Sequence, residues 1–123
     1  MVVRTDKPRQ VIDITDQVAE LVGPDSSLIH IFVAHTTCAI TTADLDPGAG
    51  EDLASAVWNM IPELDYSRHH DPKHFPAHIA HSIIGPSLTV PVKDSRLYLG
   101  TWQRIILIEL DGPRDRQIEV TSF

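Results

Sequence analysis

The segment Ile105-Ile106-Leu107-Ile108-Glu109-Leu110 restricts what this chain can fold into more than any other. It is short, β-branched and apolar except for one carboxylate, so it reads as a strand built for burial. An ionised Glu in such a strand is costly unless it is paired, ligated or held at an interface. Arg114 follows in the turn Asp111-Gly112-Pro113-Arg114. The chain can bring that guanidinium back toward the same end of the sheet. There it either forms a structural ion pair with Glu109 or presents its planar fork to a phosphate.

The remaining elements fall into place around this strand. Residues up to Ile14 are extended, and Thr15 can cap a short helix over Asp16 to Val22, stopped by Gly23-Pro24. Leu28 to Val33 and Cys38 to Thr42 read as strands. Asp46-Pro47-Gly48 has the form of a helix start, and Leu53, Val57 and Ile61 recur at helical spacing until Pro62 limits the helix. Residues 62–75 read as an irregular loop, of a length more often functional than idle. A helix from Pro76 to Ile84 ends at Gly85-Pro86. Strands over Ser87–Val92, Arg96–Leu99, Arg104–Leu110 and Gln117–Thr121 close the chain. This order predicts a single domain over residues 1–123, of α+β class, with a largely antiparallel mixed sheet and a few helices.

Ten Lys and Arg stand against 17 Asp and Glu, a formal charge of −7 that argues against nonspecific nucleic-acid binding. No apolar run approaches the ~18 residues of a membrane span, and Met1-Val2-Val3-Arg4 lacks the apolar core of a secretion signal. A single cysteine, Cys38, excludes an internal disulfide, reads best as a small core residue and fits a cytoplasmic location.

Histidine is the unusual component, with seven in the chain, among them His69, His70, His74, His78 and His81. Imidazole is the commonest nitrogen ligand of zinc, and three with a water leave an open coordination position. His78 and His81 share one side of the expected helix, so His69, His78 and His81 have a workable metal spacing, although they match no tight signature. Exposed or merely hydrogen-bonded histidines fit the same pattern. His35 ends the Leu28–Ala34 strand, a place where backbone holds functional side chains rigidly. Thr101 and Gln103, in Leu99-Gly100-Thr101-Trp102-Gln103-Arg104, offer hydrogen bonds and are substrate-binding candidates.

His35-Thr36-Thr37-Cys38-Ala39-Ile40-Thr41, Asp46-Pro47-Gly48, Ala77-His78-Ile79, Gly85-Pro86-Ser87-Leu88, Leu99-Gly100-Thr101-Trp102-Gln103 and Glu109-Leu110-Asp111-Gly112-Pro113-Arg114 follow one another in order. Together they resemble the YjbQ family, often labelled secondary thiamine-phosphate synthases, from about residue 4 to the C-terminus. The resemblance implies a compact α+β homotrimer. It also implies a site with His35, His69 and His78 as ligands of a divalent metal, zinc above all, and with Glu109 and Arg114 nearby. The implied activity joins a pyrimidine diphosphate to a thiazole phosphate with loss of pyrophosphate.

Three departures from the family pattern stand out. Thr41-Thr42-Ala43-Asp44-Leu45 replaces an amide-bearing segment, so that, if those amides orient substrate, either Asp44 takes their place or the substrate differs. Lys73-His74-Phe75-Pro76 removes acidic charge before Ala77-His78. Ser95 stands where Gly is usual, and a positive φ there costs about 1 kcal/mol, which predicts a different turn.

These residues support an enzyme acting on a phosphorylated small molecule, with Glu109 and His35 as catalytic candidates and Arg114 as the phosphate ligand. Diphosphate chemistry usually employs Mg²⁺ with oxygen ligands, whereas a three-His site suits Zn²⁺. That mismatch favours thiamine phosphate synthesis as a side activity. The alternatives are a non-enzymatic metal- or ligand-binding homotrimer, and a trimer whose polar residues only specify assembly.

Overall fold

The computed structural model describes residues 1–123. Its strands are β1 (Val2–Arg4), β2 (Gln10–Asp13), β3 (Leu28–Val33), β4 (Cys38–Ala43), β5 (Ser87–Lys93), β6 (Arg96–Leu97), β7 (Arg104–Glu109) and β8 (Asp115–Ser122). The helices are α1 (Thr15–Ala19), α2 (Ala49–Asn59) and α3 (Phe75–Ile84), with one 3-10 turn at Pro72–His74.

The expected single mixed sheet is instead two sheets, and every strand pair in them is antiparallel. One has five strands in the order β1-β8-β3-β5-β6, the other three in the order β2-β7-β4. The alternation along β7 explains the layering. Ile105 and Leu107 join Ile29, Ile31 and Ile118 of the larger sheet in the core between the sheets. Ile106 and Ile108 face the other way and pack with Ala77 and Ala80 of α3, and against Leu53 and Val57 of α2. The strand without a polar face therefore forms the middle layer, with sheet on one side and helices on the other.

Local signals are redirected in places. Thr15 does not cap α1. Its hydroxyl donates to Asp13 Oδ1 at 2.6 Å and accepts from the Ile105 N–H at 2.8 Å, tying the helix to β7. Asp46-Pro47-Gly48 forms the turn before α2, with Gly48 (φ +83°) at the N-cap. The tip of the β5–β6 hairpin keeps its left-handed geometry without glycine: Asp94 has φ +51° and Ser95 φ +60°. The sequence departure at Ser95 is thus absorbed as local strain of about 1 kcal/mol rather than avoided by another turn.

Candidate functional site

Two crossings between the sheets lie side by side. Residues 34–37 carry the chain from β3 to β4, and residues 110–114 carry it from β7 to β8. An open cleft of about 400 Å³ forms where they meet the start of α3, and Ala34 is its single apolar lining residue. His35, Thr36, Thr37, Asp71, His78, Asp111, Arg114 and Arg116 supply the rest.

Arg116 and Glu109 form the floor. Arg116 lies on β8 in alternation with Ile118, and Glu109 ends β7 in alternation with Ile105 and Leu107, so both side chains enter the space between the sheets. Arg116 Nε donates to Glu109 Oε2 at 2.7 Å, and Arg116 Nη2 also bonds Oε1. The Leu110 and Asp111 N–H groups donate to Oε1 at 3.1 and 3.0 Å. Glu109 is 0% exposed, so its carboxylate is enclosed and both oxygens are engaged. The expected Glu109–Arg114 pair is therefore replaced by Glu109–Arg116. Arg114 bonds Asp111 instead, through Nη2 to Oδ2 at 3.0 Å and through Nε to the backbone carbonyl at 2.7 Å. The other Asp111 oxygen accepts from His74 Nδ1 at 2.9 Å.

His35 is held at the rim by the Gln117 N–H, which donates to its Nε2 at 3.0 Å. Burial, reinforced by the Arg116 charge, lowers the His35 pKa. Burial and the neighbouring His69 and His70 lower that of His78. Both imidazoles are then neutral at neutral pH. His69 lies beside His78, ring centroids 4.9 Å apart and tilted at 49°, and its Nδ1 accepts the Asp71 N–H at 3.0 Å. His81 turns away and binds the Cys38 carbonyl through Nδ1 at 2.6 Å. Cys38 is buried, and burial pushes its thiol up to about 12, which suits a core residue.

The donors suit zinc in kind, His35 and His78 being neutral imidazoles at one cleft with His69 beside His78. As placed, however, no three His, Cys, Asp or Glu side chains stand close enough to ligate one ion. His69 and His78 are adjacent, whereas the His35 Nε2 lone pair is taken by Gln117.

Thr101 and Gln103 are not brought to this cleft. Cys38 pairs with Glu109 and Ala43 with Arg104, so the Gly100–Gln103 corner lies at the opposite end of β4 and β7, about 17 Å away at roughly 3.4 Å per residue. There Gln103 donates to Thr42 Oγ1 at 3.0 Å and accepts from the Gly100 N–H at 3.1 Å, beside Asp44. A larger groove of about 480 Å³ lies near Lys7, Arg9 and Trp58 and contains no histidine. Arg9 already covers the Trp58 ring at 4.4 Å.

Arg116 is one of four arginines, with Arg96, Arg104 and Arg114, whose place in the last third of the sequence allows a local basic pocket, but its pairing with Glu109 is not read from the sequence. Its alternation with Ile118 and Val120 marks its inward face once the last strand begins at Asp115.

Residues 1–123 match the family described as UPF0047 protein YjbQ-like. The chain belongs to the YjbQ/UPF0047 family. A UPF0047 protein of Archaeoglobus fulgidus is 35% identical over 124 residues, covering all of this chain and 98% of that relative. YugU of Bacillus subtilis is 36% identical over 93% of this chain and 89% of its own. A YjbQ/UPF0047 protein from Clostridium acetobutylicum superposes with a TM-score of 0.89 at 32% identity, covering 100% of this chain and 98% of that one. YjbQ membership accounts for the α+β fold and assigns no reaction. No helix is long and apolar enough to cross a membrane.

Proposed function

We propose that the cleft at His35 and Arg114 binds a phosphorylated small molecule and acts on it. On this proposal, the joining of a pyrimidine diphosphate to a thiazole phosphate, with release of pyrophosphate, is one activity and a side activity. The supporting observation is the lining: two neutral imidazoles and two guanidiniums around an open, almost wholly polar cleft. Arg114 Nη1 has no protein partner and is available to an anionic oxygen, whose developing charge it stabilises as pyrophosphate departs. The condensation itself releases no proton, so neutral His78 serves it by hydrogen bonding, and His35 offers a lone pair only if its ring leaves the Gln117 amide. Glu109 enters as a positioning residue through Arg116, not as the acid or base.

Zinc belongs to the proposal, held by His69 and His78, with His35 joining only if its ring leaves the Gln117 amide. When bound, it supplies Lewis-acid polarisation of a phosphate oxygen. A homotrimer belongs to it too: for Thr101 and Gln103 to touch the substrate, they must come from another copy, because their own cleft lies at the far end of the sheet. The alternative, a non-enzymatic metal- or ligand-binding trimer, gains from the enclosure of Glu109, which leaves only Asp71 and Asp111 as carboxylates in the cleft.

Measuring zinc content, oligomer mass and thiamine phosphate formation on one preparation tests the proposal. The wild type should form product as a trimer, and His78→Ala should lose zinc and about 100-fold or more of the rate. Stoichiometric zinc with no product from the wild type would favour the non-enzymatic reading. Zinc and rate both unchanged in His78→Ala would remove the site assignment.

A further inference from the structure

Thr37 occupies the crossing from β3 to β4 and reaches the cleft while remaining 8% exposed. Its backbone carbonyl accepts from the Leu110 N–H and from Arg116 Nη2, each at 3.1 Å. Its hydroxyl oxygen accepts a further bond from the same Nη2 at 2.8 Å. A guanidinium has no acceptor, so the hydroxyl can only be accepting in this contact. Arg116 is the one protein group bonded to that hydroxyl, and the O–H hydrogen is left over.

Arg116 cannot swing away to change this. It is 1% exposed and locked to Glu109, which is itself fixed by two backbone amides. The guanidinium approaches Thr37 from the interior between the sheets, which leaves the opposite side of the hydroxyl to the cleft. Arg114 lines the same cleft as Thr37, with its Nη1 unpartnered.

We infer that Thr37 is an anion-contacting residue of the cleft: its O–H donates to a phosphate or diphosphate oxygen that Arg114 also meets. Arg116 and Glu109 are its positioning residues. They hold the oxygen as an acceptor on the buried side, so the hydrogen points outward before any ligand arrives, and the bond forms with little reorganisation. This inference rests on reading the cleft as a phosphate site.

Calorimetric titration with inorganic pyrophosphate, using folded wild type, Thr37→Val and Thr37→Ser, tests it. Val keeps the shape and removes the donor. Thr37→Val should bind roughly 10-fold or more weakly, the effect expected for a hydrogen bond to a charged group, whereas Thr37→Ser should stay within about 3-fold of wild type. Thr37→Cys, with only a weak S–H donor, carries the same expectation as Val through a milder change, which covers a failure of Val to fold. Wild-type affinity in Thr37→Val or Thr37→Cys, alongside weakened binding in Arg114→Ala, would overturn the role of Thr37 and leave the phosphate reading standing. Equal weakening in Thr37→Ser and Thr37→Val would also overturn it, since the hydroxyl would not be the determinant. A wild type that does not bind pyrophosphate at millimolar concentration would overturn both.

Discussion

Arg116→Leu should lower the stability of the fold by about 3–5 kcal/mol, the cost of leaving one charge of a buried pair unmatched. Arg116 bonds both Glu109 oxygens and both Thr37 acceptors, and the side chains of the pair are 2% and 0% exposed. Removing the guanidinium leaves the Glu109 carboxylate with only the Leu110 and Asp111 amides. The double variant Glu109→Leu/Arg116→Leu should recover most of that loss, because a matched apolar pair of similar volume removes both desolvation penalties. It should not recover pyrophosphate binding, because the Thr37 hydroxyl then loses the group that orients it. Urea unfolding of the singles and the double measures the coupling. A single-variant loss below about 1 kcal/mol would show that the pair does not close the end of the sandwich.

Gly112→Ala should cost about 3 kcal/mol, the upper end of what overpacking usually costs. A Cβ at residue 112 would meet the Lys7 backbone carbonyl and stand 2.8 Å from both Glu109 Cγ and Thr5 Oγ1. None of these neighbours yields easily. The Lys7 oxygen is backbone, Glu109 is locked by Arg116, and Thr5 Oγ1 accepts the Arg114 N–H at 2.8 Å. The Gly112 N–H donates to the Pro8 carbonyl at 3.0 Å, so residues 5–8 lie as a strap against the turn that carries Arg114. Displacing the strap moves Arg114, and pyrophosphate binding should weaken along with stability. A variant within about 0.5 kcal/mol of wild type would mean the strap relaxes freely.

These two effects lie at the part of the molecule least legible in the sequence. The bounds of β3 could be read directly, because an apolar β-branched run between turn residues has one sensible reading. The helical spacing of Leu53 and Val57 likewise marked the face of α2 that packs toward Ile106 and Ile108, although the helix stops at Asn59, short of Ile61. The burial of Glu109 was also legible, since its neighbours leave it no solvent. Its partner was not. Glu109 meets Arg116 because two sheets pack face to face, and a pattern along one strand says nothing of which strand lies opposite. Arg114, nearer in sequence, was the natural choice, but its own turn folds it onto Asp111. His35 and His78 share the cleft although residues 36–77 separate them, a proximity only the family resemblance foreshadowed. Thr101 and Gln103 illustrate the converse: they travel with the site motifs along the sequence and sit at the other end of the sheet in space.

On the proposed reading, the anion site is the His35–Arg114 cleft and not the larger groove at Trp58. Calorimetric titration of inorganic pyrophosphate into wild type, Arg114→Ala and Arg9→Ala tests it most directly. The expected result is binding weakened about 10-fold or more in Arg114→Ala, as for loss of a charge-assisted contact, with Arg9→Ala unchanged. Binding lost in Arg9→Ala and retained in Arg114→Ala would contradict it and move the site to the other groove.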